Sequence, residues 1–175
     1  MKLKSLTLDN AFQHKDLQVT FSDFCAVIGK NGSGKSNIIE SLRYLLTNKF
    51  SLPGKQETMV RDGSTNGKIS ALIEVDGEEV ETSVTLGASR RSLKRGDLKM
   101  NKGAEVVNYL QDAVLKTSVD LIDNTIIRQG MLTKGLFDPP AKRVDMFLRM
   151  AGLSDLERKR QQLADVSAAI VVPMS

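Results

Sequence analysis

Alternating apolar and polar positions predict β-strands in the first half of the chain. The first such strand carries the apolar residues Leu17, Val19 and Phe21. Two further alternating runs, residues 69–75 and 80–86, flank Asp76-Gly77, which is a favoured two-residue hairpin loop. That loop brings the two apolar faces together, with Val75 opposite Glu78, Ile73 opposite Val80, Ala71 opposite Thr82 and Ile69 opposite Val84. The pattern therefore predicts an antiparallel hairpin with a defined register.

The apolar pattern changes to a helical period directly after a glycine-rich segment. Residues 24–28 form a short apolar run, which predicts a buried strand, and glycines follow at positions 29, 32 and 34. Beyond Ser36 the apolar residues recur every three or four positions, at Ile38, Ile39, Leu42, Leu45 and Leu46. The order is a strand, a glycine-rich loop and an amphipathic helix.

The second half of the chain is predicted to be mainly helical. Apolar spacing predicts a helix over residues 106–114 and a strand over residues 121–128, followed by Gln129-Gly130. Pro139-Pro140 opens a third helix, which ends near Gly152. Ser154 and Glu157 form a capping box for a fourth helix. Its residues Leu156, Leu163 and Ile170 recur every seven positions, as at the start of a coiled coil.

The composition is that of an ordinary folded domain. The chain has 175 residues, of which 41% are hydrophobic and 26% charged, and its formal net charge is +4. The single cysteine, Cys25, excludes a disulfide framework and has no neighbouring zinc ligands. No apolar run is long enough for a membrane span, and the N-terminus lacks the apolar core of a signal peptide. We therefore expect an intracellular protein without a membrane partner.

The glycine-rich segment has the pattern of a phosphate-binding loop. Residues 29–36 read GKNGSGKS and fit G-x-x-x-x-G-K-[ST]. Its glycines let successive backbone N–H groups point at phosphate oxygens, and the following helix adds its positive dipole end. Lys35 is expected to bridge the β- and γ-phosphates of ATP, and the Ser36 hydroxyl to bind Mg²⁺. The predicted nucleotide-binding residues of this segment are Asn31, Gly32, Ser33, Gly34, Lys35, Ser36 and Asn37.

The sequence lacks other parts of a hydrolytic site. Many phosphate-loop ATPases place an Asp after four apolar residues, where it holds Mg²⁺, and often a catalytic Glu after it. No such run followed by Asp-Glu occurs, and Leu121-Ile122-Asp123 is the nearest approach, with Asn124 following. The chain therefore holds half of an ATPase site.

The order of motifs resembles the N-terminal half of an ATP-binding-cassette head of the structural-maintenance-of-chromosomes (SMC) type. After the phosphate loop come IIRQG at residues 126–130, then Pro139, Arg143 and AGL at residues 151–153. Within that family the chain is most similar to the ATPase subunit of the double-strand-break repair nuclease. That subunit is called SbcC in bacteria and is the Rad-class subunit of the Mre–Rad complex elsewhere. The resemblance runs from Lys2 to about Ala164.

The resemblance implies an α/β P-loop NTPase fold, specifically one lobe of an ABC-type ATPase head. Such a lobe has a mixed sheet around the phosphate-loop helix, antiparallel β-hairpins and a C-terminal helix that leads to a coiled coil. Residues 1–153 would be the N-terminal lobe, and residues 154–175 the truncated start of the coiled-coil helix. The C-terminal lobe of such a head supplies the Mg²⁺-binding Asp, the catalytic Glu, the signature motif and the switch His.

The same resemblance implies further site residues. Gln129 would contact Mg²⁺ and the attacking water, and the segment Val60, Arg61 and Asp62 would lie beside the nucleotide base. The family often carries a basic residue near Asn10, close to the phosphates. Residues 10–14 read NAFQH and have no base there, so Lys15 is the nearest substitute.

The implied partners are the C-terminal lobe, a second copy of the head in an ATP-dependent homodimer, a nuclease subunit and DNA. The basic stretch over residues 90–102 offers the DNA contacts Arg90, Arg91, Lys94 and Arg95, although a solvated hairpin explains the same charges. The location would be the cytoplasm and nucleoid, or the nucleus in a eukaryote. A head fragment of a chromosome-condensing SMC protein and a small P-loop kinase remain alternative functions.

Overall fold

The structure is a computed structural model that describes residues 1–49, 56–116, 126, 137–151, 153, 159–160 and 162–163. The chain divides into two compact units, Met1–Val119 and Asp120–Ser175, and each is described by itself.

The first unit is built on a six-stranded sheet in which every described pairing is antiparallel. The strand order is β2-β1-β3-β4-β5-β6. The strands are β1 (Lys2–Ala11), β2 (His14–Thr20), β3 (Gly67–Val75), β4 (Glu78–Leu86), β5 (Arg90–Arg95) and β6 (Leu98–Met100). Sequential strands are neighbours except where β3 pairs with β1, so simple hairpins make most of the sheet.

The predicted central hairpin is confirmed in its register. Val75 pairs with Glu78, Ile73 with Val80, Ala71 with Thr82 and Ile69 with Val84. Asp76 (φ 53°) and Gly77 (φ 84°) both adopt the left-handed conformation that a type I′ turn requires. The alternating pattern therefore sets both the turn and the buried face.

One face of the sheet packs against helices and forms the core. The helices are α1 (Lys35–Thr47) and α2 (Gly103–Tyr109), and α2 continues into a π-helical turn (Leu110–Leu115). A short 3₁₀ helix (Gln56–Met59) precedes β3. Buried core residues from the sheet and α1 include Leu6, Leu8, Ile69, Val84, Ile38 and Leu45. Both predicted helices in this unit are confirmed.

The predicted strand over residues 24–28 does not form, and that prediction was wrong for the described structure. Residues 23–30 adopt irregular backbone between β2 and the loop, and Phe24 and Ile28 are 85% and 92% exposed. The physical reason is a missing neighbour, because β1 already pairs with β2 and β3 on its two sides. No other strand of the described residues runs beside this apolar segment.

The second unit contains helix α3 (Pro140–Met150), which begins where the proline pair predicts. The N–H groups of Lys142 and Arg143 donate to the carbonyl of Pro139, which closes the first turn. Four residues of the predicted fourth helix are helical, at positions 159–160 and 162–163. The heptad residues Leu156 and Ile170, and the strand predicted over residues 121–128 apart from Ile126, lie outside the described residues. Among described helices, none is long and apolar enough to cross a membrane.

Candidate nucleotide-binding site

The predicted phosphate-loop residues lie at the exposed N-terminal end of α1. Gly34 is the N-cap of α1 with φ 87°, and Gly32 has φ 77°. These left-handed values explain why glycine occupies both positions. The first turn of α1 carries no acidic residue. Because the first N–H groups of an α-helix have no intrahelical acceptor, this end offers donors and a positive dipole to an anion.

The Lys35 ammonium lies inside the curled loop. Its Nζ donates to the carbonyl of Gly29 at 2.8 Å and to that of Lys30 at 2.7 Å. The loop is closed by a turn in which the Ser33 N–H donates to the Lys30 carbonyl at 3.2 Å. Lys35 therefore sits where the motif predicts a cation for phosphate, with its charge directed into the loop.

The turn between β1 and β2 contacts the same loop through an amide. The Gln13 Nε2 donates to the Gly32 carbonyl at 3.2 Å, and its Oε1 accepts from the Asn37 Nδ2 at 2.7 Å. A Cβ placed on Gly34 would collide with the Gln13 amide and with His14 Nε2. His14 Nε2 is buried and has no hydrogen-bond partner among the described residues. The turn thus packs directly on the phosphate loop.

The segment predicted to lie beside the nucleotide base is held on this same turn. Val60 forms an isolated antiparallel bridge with Ala11, and the Arg61 N–H donates to the Asn10 carbonyl at 2.9 Å. The Phe12 N–H donates to the Met59 carbonyl at 2.6 Å. Val60 and Arg61 therefore neighbour the residues that reach the loop, and Asp62 follows them in an exposed turn.

The opposite end of α1 is closed by Arg91, and this corrects a prediction. Arg91 is only 4% exposed, so it does not offer a surface contact to DNA. Its guanidinium donates to the carbonyls of Leu45 (2.8 Å) and Tyr44 (3.0 Å) and to Asn48 Oδ1 (2.9 Å). The guanidinium carbon lies 5.0 Å from the centre of the Tyr44 ring, within cation–π range. Burial lowers the pKa of Arg91 from its ordinary value.

The rest of the predicted basic stretch forms the β5–β6 hairpin. Arg95 donates from Nε to Glu78 Oε2 at 2.7 Å, so part of its charge is compensated. The hydrogen bonds that Arg95 donates to Glu78 and Tyr109 raise the pKa of Arg95, and burial opposes them. Arg90 and Lys94 are exposed on one face of β5. Of the four predicted DNA contacts, these two keep an accessible side chain without a described carboxylate partner.

Several predicted features take a different place or lie outside the described residues. Gln129, the second predicted Mg²⁺ ligand, lies outside them. Lys15 lines an open cavity of about 420 Å³ with residues such as Asp9, Asp16 and Lys68, rather than contacting the phosphate loop. Within the described part of the chain, no group of three or more His, Cys, Asp or Glu side chains could hold a metal ion.

Two contacts at the ends of α1 had no clear signal in the sequence. Gln13 contacts the loop from 19 residues away along the chain, and no motif in the sequence assigns it a role. Arg91 looked like one of several surface bases, although its position next to the exposed Arg90 on an alternating strand is compatible with an inward-facing side chain.

Comparisons with known proteins give the family of the chain. A family model described as "AAA ATPase domain" matches residues 1–123. The chain is 27% identical over 137 residues to the DNA double-strand break repair Rad50 ATPase of Saccharolobus solfataricus, covering 77% of this chain and 16% of that protein. It is 29% identical over 112 residues to the DNA replication and repair protein RecF of Lactococcus lactis subsp. cremoris, covering 63% and 31%. The SMC head domain of Thermotoga maritima has a TM-score of 0.45 at 20% identity, covering 62% of this chain and 41% of that one. The chain thus spans less than a third of each of these two curated relatives.

Proposed function

Because the chain belongs to the family of AAA ATPase domains, we propose that it is the ATP-binding N-terminal lobe of an SMC-like DNA-repair ATPase head. The observation that carries the proposal is the loop at the start of α1, where Lys35 directs its ammonium into a glycine-rich backbone curl. The predicted class of enzyme, an ATPase of the P-loop type, is confirmed by the family match. The roles of individual residues below are proposals.

In the proposed mode of binding, the triphosphate enters the loop from the side of α1's N-terminus. Lys35 now donates to the carbonyls of Gly29 and Lys30, and it would donate to β- and γ-phosphate oxygens instead. The new hydrogen bonds would be stronger because both the ammonium and the phosphate are charged. The loop residues 31–37 supply backbone N–H groups, and Val60, Arg61 and Asp62 flank the base. The link between these segments through Asn10 and Gln13 supports one continuous site.

We propose that Ser36 and Gln129 would hold a magnesium ion. The Ser36 hydroxyl, in the first turn of α1, is a hard oxygen ligand of the kind Mg²⁺ prefers, and Gln129 is proposed to add an amide oxygen. When bound, Mg²⁺ would offset the negative charge of the triphosphate. No acidic residue lies in the first turn of α1. The charge of the ion would therefore be balanced by the phosphates and by groups outside this turn.

We propose that the exposed apolar segment at residues 24–28 docks the C-terminal lobe of the same ATPase. Its side chains have the continuous apolar character of a strand buried on both faces, yet Phe24 and Ile28 are almost fully exposed. A strand supplied by the C-terminal lobe would pair with this backbone. The same lobe would bring the Mg²⁺-binding Asp and the catalytic Glu, which this sequence does not contain.

We further propose that two such heads engage around ATP, drive DNA end processing with a nuclease subunit, and contact DNA through Arg90 and Lys94. ATP would favour the engaged dimer by binding it more tightly than the open form. Each base that contacts a phosphate would add a salt-dependent term to DNA affinity. The site of action would be the cytoplasm and nucleoid, or the nucleus of a eukaryote.

Titration of ATP into the chain tests the phosphate-loop assignment. Wild-type protein is expected to bind ATP, and Lys35→Ala to weaken binding by about a hundredfold because a charge-assisted contact to the triphosphate is lost. Lys99→Ala, which removes an exposed lysine from β6, is the matched control and should bind like wild type. Equal affinity of Lys35→Ala and wild type would refute the assignment.

A complementation assay tests the two-lobe arrangement. The chain alone should show negligible ATP turnover, and addition of the C-terminal lobe should restore it. Phe24→Asp should prevent that restoration while leaving ATP binding by the chain unchanged, whereas Leu98→Asp, at another exposed apolar residue, should not. Robust turnover by the chain alone would contradict the proposal.

A further inference from the structure

Gln13 is the one side chain of the β1–β2 turn that hydrogen-bonds to both the phosphate loop and α1 among the described residues. It donates to the Gly32 carbonyl (3.2 Å) and accepts from Asn37 Nδ2 (2.7 Å). Asn37 is in the first turn of α1, and Gly32 is in the middle of the loop. One neutral amide therefore joins the two parts of the site that must keep a fixed relative position.

The Gly32–Ser33 peptide has two described hydrogen bonds, one from Gln13 to the Gly32 carbonyl at 3.2 Å and one from the Ser33 N–H to the Lys30 carbonyl at 3.2 Å. No heavy atom lies within 4 Å of the position a Gly32 Cβ would take, and the residue has φ 77°. Glycine rotates its adjoining peptides at low cost. A hydrogen bond to the Gly32 carbonyl fixes the plane of the Gly32–Ser33 peptide, and with it the direction of the Ser33 N–H.

The Lys35 contacts to the loop do not persist in the proposed nucleotide complex. Lys35 now donates to the carbonyls of Gly29 and Lys30, and the proposed function transfers that ammonium to phosphate. The Gln13 contact uses no group that the nucleotide takes. It can therefore remain while the triphosphate binds.

The turn that carries Gln13 is itself held in place. The Phe12 N–H donates to the Met59 carbonyl, and the Asn10 carbonyl accepts from the Arg61 N–H. Phe12 has φ 54°, so the turn has a tight left-handed geometry. The amide thus extends from an anchored turn that also contacts the proposed base-side segment.

From these contacts we infer that Gln13 is a positioning residue that keeps the Gly32–Ser33 peptide in the orientation that binds phosphate. This inference rests on the proposed function. It assigns a role at the loop, acting through the loop backbone, to a neutral amide in residues 10–14, the segment where the family often carries a basic residue close to the phosphates. Without Gln13 only a fraction of the molecules would hold a binding-competent loop, and the apparent affinity for ATP would fall to that fraction of its intrinsic value.

The test compares ATP affinity and loop dynamics in the full chain. Gln13→Met keeps the side-chain length and removes both hydrogen bonds, and we expect ATP to bind about fivefold more weakly because one net hydrogen bond restrains the loop. Amide exchange at Ser33, followed by NMR, should become faster. The unfolding midpoint in urea should be unchanged because Gln13 is exposed. Gln18→Met, an exposed glutamine of β2, is the matched control and should change neither quantity.

A second set of variants separates the two hydrogen bonds. Gln13→Asn keeps an amide that is one methylene too short to make both bonds, and it should show the same loss. In a double-mutant cycle, Gln13→Met and Asn37→Leu together should weaken binding by less than the product of their single effects. If Gln13→Met lowers the unfolding midpoint, the ATP affinity and the Ser33 amide exchange of Gln13→Asn decide the test instead.

The outcomes are distinguishable from failure of the proposed function. If Lys35→Ala binds ATP like wild type, the phosphate-loop assignment fails and the role of Gln13 fails with it. If Lys35→Ala loses binding while the two Gln13 variants bind like wild type with unchanged Ser33 exchange, only the Gln13 inference is overturned.

Discussion

The two ends of α1 are built in opposite ways. At the N-terminal end, two left-handed glycines and exposed polar contacts hold a loop that is open to solvent. At the C-terminal end, Glu40 and Arg43 form a buried ion pair at 3.1 Å, and Arg91 donates three hydrogen bonds to the last turn and its cap. Asn48 closes the helix in a left-handed conformation.

The buried C-terminal end of α1 thus contributes to stability, and the open N-terminal end is the one proposed to bind a ligand. The cationic guanidinium meets the negative end of the helix dipole at the buried end, and the triphosphate would meet the positive end at the open one. A fixed C-terminal end lets the exposed loop rearrange around a ligand without loosening the core. Mutations at the two ends should therefore change different quantities.

The largest effect is expected from Arg91→Met, which breaks the buried end. The methionine fills part of the space but leaves the Leu45 carbonyl without its donor, and we expect a loss of about 3 kcal/mol in the free energy of unfolding. Urea unfolding measures it. Arg90→Met, one residue earlier on the exposed face of β5, should change stability by less than about 0.5 kcal/mol. Equal stabilities of the two variants would remove the distinction between the ends.

A smaller effect on stability, combined with loss of ATP binding, is expected from Gly34→Ala at the open end. The alanine would have to keep the strained φ of 87°, and its Cβ would displace Gln13 and His14. We expect a loss of about 2 kcal/mol in the free energy of unfolding. Gly96→Ala in the β5–β6 turn also has a positive φ but meets nothing within 4 Å, so it should cost about 1 kcal/mol. Urea unfolding and ATP titration of both variants give the comparison. Normal ATP binding by Gly34→Ala would show that the turn does not constrain the loop.

Local patterns predicted much of this structure because their physical causes are local. The Asp76-Gly77 turn and its alternating flanks set the central hairpin, and the period change after Ser36 set α1. The phosphate loop was predicted for the same reason, since its glycines and lysine are contiguous. Its position at the N-terminus of a helix then follows from the chain order alone.

The parts that the sequence did not predict depend on neighbours distant along the chain. Residues 24–28 have the composition of a buried strand, yet a strand needs a backbone partner that the described residues do not provide. Arg91 has the same chemistry as the exposed bases of β5, and only its hydrogen bonds to the last turn of α1 place it in the interior. Gln13 reaches the loop because its turn folds back onto it, a contact across 19 residues.

The smallest expected effect comes from an exposed ion pair, and it sharpens the contrast with the buried pair at the C-terminal end of α1. Lys4 Nζ lies 2.6 Å from Glu74 Oε2 on neighbouring strands. The hydrogen bond and charge of Lys4 lower the pKa of Glu74, and Glu74 in turn raises the pKa of Lys4. A carboxyl whose pKa is lowered by folding stabilises the protein above its unfolded-state pKa, and that contribution is lost as the pH falls through the lowered value.

Glu74→Gln should therefore lower the urea midpoint slightly at pH 7 and have no effect at a pH below the lowered pKa of Glu74, where the wild-type carboxyl is protonated in both states. Added salt at pH 7 should also reduce the difference, because the pair is exposed and screened. Glu81→Gln on β4, at a position opposite Lys94, serves as the matched control for removing one surface carboxylate from the sheet. A Glu74→Gln difference that persists unchanged at low pH would mean that packing, not charge, stabilises this position. The contribution of the exposed Lys4–Glu74 pair to stability would then depend on pH and salt no more than that of the buried end of α1 does.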